Sequence, residues 1–320
     1  KINGYDINYD EAELKDKMEN QTLDVRLISP DFEGYKNLSE GNKKALTHLV
    51  AAARMVNDVA LEQDHPMNLP QKKALAEAAA AGSSHAALAL ELFNSLNGVA
   101  GYNGVDKEPV EVFAGIRLLP GHNFYPADLS PEEFRQILIA MLKAGKSEEV
   151  RKILSARTMV RRAGGELKAI DYTEYFAAAF SAIANELEVA AHYADDEAFK
   201  DYLGWQAQAL LQNNPDMDML ADRHWAVLQD TSLEFTLSRE NYDDEITPAV
   251  YDNGELKALL AENGIEAVGK DTLGARVGIV NKAGTDLILQ FKKHLPELAA
   301  KMPFADAYRQ SILDGEELKQ

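Results

Sequence analysis

Cysteine is absent from this chain of 320 residues, which removes disulfides, thiolate metal sites and cysteine catalysis together. Long apolar runs are missing too: none approaches the ~20 residues that cross a bilayer as a helix. Basic charge is scarce, with 33 Lys and Arg against 52 Asp and Glu and a net charge of -19. Phosphate binding needs a basic face that releases counterions, so this balance argues against nucleic acid, and it does not suit an anionic membrane surface. The acid is spread along the chain and not gathered in a tail, as on a solvated surface. Repeats of fixed period and low-complexity tracts are lacking.

The usual catalytic signatures are also missing. Zinc hydrolysis on a helix needs two histidines at i and i+4 with a glutamate between them. The seven histidines stand at 48, 65, 85, 122, 192, 224 and 294, and none has a second one four or five positions away. There is no Gly-x-Ser-x-Gly elbow. Paired carboxylates can be assembled from 52 acids in many ways, so they carry no diagnostic weight. His65 precedes a proline in a break and reads as a loop residue, and His85 lies among alanines and leucines as a satisfied histidine. The chain opens on Lys1 and not Met, as a trimmed or processed chain does. With no cysteine, this leans towards an exported, periplasmic location, the cytoplasm being the alternative.

What is present is mostly helical text. Leu38 to Leu61 repeats apolar residues at Leu46, Leu49, Val50, Ala53, Val56 and Ala60, one buried stripe. Pro66 and Pro70 break the chain, and two alanine-dense segments parted at Gly82-Ser-Ser84 follow. Glycines 98, 101 and 104 match neither a P-loop nor a Rossmann fingerprint and read as a flexible loop. Asn123-Phe-Tyr-Pro-Ala-Asp128 is a turn whose two aromatics plug a core. Ser130 then caps a helix with Pro131 at its first position and Glu132 and Glu133 at the positive end of its dipole. That helix stops at Gly145. Lys146 to Arg162 is basic by the standards of this chain and reads as a solvated face or a local partner for acidic regions, with Gly164-Gly165 a hinge. Two amphipathic helices fill Asp171 to Asn213, and a third leads out of Asp218.

At Leu233 the period changes. Leu233, Phe235 and Leu237 are apolar while Glu234, Thr236 and Ser238 are polar, the alternation of a half-buried strand. The strand delivers Glu240, Asn241, Tyr242, Asp243 and Asp244 in one run, carboxylates and a phenol that make a candidate polar ligand site. A second strand, Arg276 to Lys282, is short, β-branched and flanked by Gly274 and Gly284. The fold class expected is therefore mostly α with a smaller β element (α+β): a mainly helical region over 1–222 and a mixed region over 223–320.

The order of these motifs is similar to the N-terminal half of the dipeptidyl-peptidase III family of zinc metallopeptidases, in its bacterial form. Arg26-Leu-Ile-Ser-Pro30 looks like the family's start, and Asn123 to Phe134 resembles its turn and helix. Arg223-His-Trp225, Glu240-Asn-Tyr-Asp-Asp244 and Val277-Gly-Ile-Val-Asn-Lys282 resemble its helix end, Glu-x-Tyr-x-Asp strand end and Val-Asn-Lys strand, in the family's order. The resemblance implies two lobes about a cleft, one helical and one mixed with a small β-barrel core. It implies a substrate-binding role in which Glu240 and Tyr242 hold the free amino end of a peptide, with Asn241 and Asp244 beside them. A carboxylate offers an ammonium a charge-assisted bond, which agrees. The family's zinc motif and catalytic glutamate follow the Val-Asn-Lys strand and have no counterpart among these residues, so neither a catalytic residue nor a metal ligand is expected in this chain. The Phe-Gly pattern usual between the two strands is missing as well, and a longer insert replaces it. Two expectations follow. The chain is the amino-end-binding part of a zinc exopeptidase that releases dipeptides, partnered by a C-terminal catalytic segment, or it is a non-catalytic helical peptide-binding or scaffold protein.

Overall fold

The computed structural model describes residues 1–21, 29–104, 107–228, 230–241, 244–303 and 305–306. The chain forms two compact units, each assembled from separated stretches. The first takes Lys1–Leu27, Arg54–Ala179 and Ser238–Gly274; the second takes Ile28–Ala53, Phe180–Leu237 and Ala275–Gln320.

In chain order, α1 (Glu11–Gln21) and the short α2 (Glu33–Lys36) precede the long α3 (Glu40–Asp64). The proline break falls between α3 and α4 (Asn68–Ala80), and α5 (Ser84–Leu96) follows. Ser83 caps α5 by accepting a hydrogen bond from the Ala86 amide, and Asn97 ends it in the left-handed region at φ +53°. An N-cap of this kind is worth about 1 kcal/mol. Leu14, Leu61, Leu75, Ala89, Leu92 and Phe93 meet Val110, Val112 and Phe113 in one buried cluster of the first unit.

Val110 belongs to β2 (Pro109–Glu111), which pairs antiparallel with β1 (Ala100–Tyr102). The glycine-rich segment expected as a flexible loop therefore opens on a strand. Three-residue strands are too short to write an alternation into the sequence.

Beyond it, α6 (Pro131–Lys143) is capped by Ser130, which accepts from the Glu133 amide at 3.1 Å, and it buries Phe134, Leu138, Met141 and Leu142. After α7 (Ser147–Ile153) come β3 (Thr158–Ala163) and β4 (Glu166–Asp171), an antiparallel hairpin in which Ala163 faces Glu166. Gly164-Gly165 is thus a two-residue hairpin turn, with Gly164 at φ +66°, and not a hinge. Met159 and Val160 are both buried although adjacent, so β3 shows no alternation.

The second unit is built on α9 (Ala177–Tyr193, after the short α8, Tyr172–Tyr175), α10 (Glu197–Gln212) and α11 (Pro215–Ala226). Asp196 and Asn214 cap the last two by accepting from the amides of Phe199 and Asp216. Then β5 (Leu233–Asn241) leads through a 3₁₀ turn (Pro248–Asp252) and α12 (Gly254–Glu262) to β6 (Asp271–Ile279), which pairs with β5. The second strand starts five residues before the expected Arg276. Finally come α13 (Lys282–Lys293) and α14 (Leu295–Lys301).

The fold is mostly α with a smaller β part, as the periodicity predicts. The β-barrel core does not appear: among the described residues the strands form three separate two-stranded sheets, and two strands cannot close on themselves.

Candidate functional site

The candidate site lies at the end of β5, in the first unit. Along β5 the side chains of Leu233, Phe235 and Leu237 are buried, and Ser238, Arg239 and Glu240 are half-buried. The strand thus changes from packing to polar chemistry within its own length. Glu240 is half-buried and Asn241 is exposed. The Asn241 Nδ2 donates to the Gly269 carbonyl at 2.6 Å. A Cβ at 269 would meet the Asn241 side-chain amide, which would then have to turn away. Asp244 turns its Oδ1 back on the chain, accepting from the amides of Ile246 and Thr247, and so shapes the turn into Pro248. Tyr242 lies outside the described residues, as do Arg26 to Ile28 of the proposed family start. Of the expected quartet, then, Glu240 sits half-buried at the strand end, while Asn241 and Asp244 each fix backbone there.

Two stretches far apart in sequence meet at this point. The Glu245 amide donates to the Pro120 carbonyl, and the phenol of Tyr125 lies 2.9 Å from Thr247 Oγ1. Phe124 and Tyr125 are both buried, so the two aromatics do plug a core. The turn that carries them is held against the end of α3. The Asn123 amide and side chain donate to the carbonyls of Gln63 and Glu62, and His122 Nδ1 lies 2.9 Å from Asp64 Oδ1. Helix ends leave carbonyls without intrahelical partners, and this turn supplies them. Burial pushes the Tyr125 phenol well up, so it stays neutral.

The segment after Gly269 is held as firmly. Lys270 is buried and sends its Nζ to the carbonyls of Ile153 and Ser155, both at 2.7 Å, and to Thr158 Oγ1 at 2.8 Å. Asp271 pairs with Arg157 at 3.0 Å, both side chains being largely covered. Gln63 grips one edge of β6, donating to the Asp271 carbonyl and accepting from the Leu273 amide. That capping keeps this edge from pairing with another chain. Tyr172 also donates to the Asp271 carbonyl. Sequence reasoning missed Lys270, Gln63 and Arg157, whose partners lie tens to hundreds of residues away and leave no periodic mark.

Part of the basic stretch serves nearby partners, while Arg151 and Arg157 reach residues 263–271. Arg162 donates to both oxygens of Glu133 and to Asp128, and holds those two carboxyls below the usual carboxylate range. Arg161 binds the Asn123 carbonyl and the Tyr175 hydroxyl. His65 is a buried turn residue whose Nδ1 accepts from the Met67 amide at 3.0 Å, and His85 is satisfied by the Tyr9 carbonyl at 2.7 Å. In the second unit His48 Nδ1 lies 2.7 Å from Glu186 Oε2. Among the described residues no group of three His, Asp or Glu side chains is placed to hold a metal ion. No described helix is long and apolar enough to cross a membrane.

No family model and no curated protein matches the chain. Solved structures are similar to it, the following two among them. One is DPP III from Caldithrix abyssi, 24% identical with a TM-score of 0.65, covering 92% of this chain and 49% of the other. The second is dipeptidyl-peptidase III from Corallococcus sp. strain EGB, 20% identical with a TM-score of 0.61, covering 92% and 48%. The chain therefore has a DPP III-like fold and spans about half the length of each of these proteins.

Proposed function

We propose that this chain binds peptides by their free amino end at the close of β5, as the substrate-holding part of a DPP III-like zinc exopeptidase that releases dipeptides from peptide N-termini. The observation that carries this is Glu240, a half-buried carboxylate at the end of a polar-turning strand in a DPP III-like fold. An ammonium beside a partly desolvated carboxylate forms a charge-assisted bond, which is stronger than a neutral one. Asn241 and Asp244 support it by fixing the backbone on either side, and Tyr242 is assigned a second polar contact on the resemblance alone. Hydrolysis and its zinc belong, in this reading, to a catalytic segment corresponding to the half of the DPP III chains that this chain does not match.

Glu240→Gln tests the assignment, because it keeps size and removes charge. Calorimetry with a tripeptide should show affinity falling by roughly tenfold to a hundredfold, the effect of losing a hydrogen bond to a charged group worth about 1.5–3 kcal/mol. Unchanged affinity in a folded variant would remove Glu240 from the site.

A further inference from the structure

Lys270 is a buried cation with no use in the reading above, and its partners determine its protonation state. The carbonyls of Ile153 and Ser155 can only accept hydrogen bonds. Thr158 Oγ1 has one proton, which it donates to the Lys152 carbonyl at 2.8 Å, so towards Lys270 it too can only accept. Three acceptors around one nitrogen require three N–H groups. An ammonium has three; a neutral amine has two and would aim its lone pair at an oxygen.

The groups facing Lys270 are the Tyr125 ring, 5.3 Å from Nζ, the carboxylates of Asp244 and Asp271, and Arg157, which is paired with Asp271. Burial pushes the lysine down to about 7, while the two carboxylates favour its charged form. The same segment is also stapled through its backbone: the Val268 amide donates to the Leu154 carbonyl and the Asp271 amide to that of Ala156. On its other side, the Gly269 carbonyl holds Asn241.

We propose that Lys270 is a positioning residue: an ammonium latch that fixes residues 268–271 on the 153–158 connection, and through Gly269 fixes the end of β5. Loss of its proton leaves one of the three acceptors facing a lone pair and loosens the latch. The consequence for peptide binding rests on the function proposed above; the latch itself does not.

The test follows the Lys270 side-chain nitrogen by NMR in ¹⁵N-lysine-labelled protein, assigned by its absence from Lys270→Met. At pH 6 the nitrogen should carry three hydrogens. Its titration midpoint, about 7, should coincide with a fall of at least about tenfold in the exchange protection of the Val268 and Asp271 amides. Thr158→Val keeps the shape and removes one acceptor, so an amine with two hydrogens becomes satisfied. Its midpoint should drop by about one unit, a tenfold change in proton affinity. This second variant decides the matter even where Lys270→Met fails to fold. A two-hydrogen amine at pH 6, or a midpoint that Thr158→Val leaves unmoved, would overturn the latch. Neither readout involves a peptide, so failure here and failure of Glu240 as an amino-end ligand are told apart.

Discussion

The two units are held together internally by different means. The first buries Gln63, His65, Asn68, Gln71, Thr158, Thr247 and Lys270, while the second buries Asn42, Gln206 and Thr231. Most of the first unit's buried polar groups bond backbone: Gln63 grips β6, Asn68 bridges the Leu61 carbonyl and the Val99 amide, and His65 caps the turn at Met67. The second unit has fewer such bonds, chiefly Tyr202 of α10 donating to the Phe235 carbonyl of β5 and accepting from Gln206, and its α13 presents Leu287, Ile288 and Phe291 outward with no buried residue. Polar groups in a core fix which backbone atoms meet, because an unmet buried donor or acceptor costs more than a met one contributes. Apolar faces fix only that something packs there. The first unit is thus the one suited to hold a strand end in place.

This contrast can be broken most severely in the second unit. Phe235→Ala removes a fully buried ring, and urea denaturation should show a loss of about 3–5 kcal/mol. In the first unit, Gln63→Leu keeps the volume but strips the Leu273 amide and the Asp271 carbonyl of that partner, and the loss should be about 1–3 kcal/mol. Equal effects from the two kinds of substitution at comparable burial would leave the distinction in words only.

Acid should sharpen the difference. Burial holds the His65 imidazole below its usual range, against the pull of Asp64, and a proton on Nδ1 would also abolish the bond from Met67. The unfolded chain takes up this proton near pH 6.5, where the folded chain does not. Its contribution is therefore complete above about pH 6.5 and declines as pH falls towards the lower folded value. Melting curves between pH 7 and 5 should slope less in His65→Asn, whose carbonyl still accepts from Met67. The smallest effect belongs to α13: Phe291 is 58% exposed, and Phe291→Ser should change stability by no more than about 0.5 kcal/mol. A larger loss would mean that this face is covered in solution.

The sequence made legible whatever follows a period or a cap. Ser130-Pro131-Glu132-Glu133 announced α6, and the alternation from Leu233 announced β5. Hidden were β3, where Met159 and Val160 are buried side by side, and β1 and β2, which are too short to alternate. At the candidate site the polar run from Glu240 was visible as chemistry. The structural work of Asn241 and Asp244 was not, because it depends on Gly269, 28 residues away, and on a turn conformation. Lys270 stood between a glycine and an aspartate like any surface lysine; its acceptors lie 112 to 117 residues earlier.

The central claim is that the end of β5 recognises a peptide's free amino group. Calorimetric titration of the chain with one tripeptide in two forms, free and N-acetylated, tests it most directly. The account predicts binding of the free form and at least about a tenfold weaker response to the acetylated one, since acetylation removes the charge that Glu240 meets. Equal affinity for the two forms would contradict it and leave a peptide-binding scaffold without amino-end recognition.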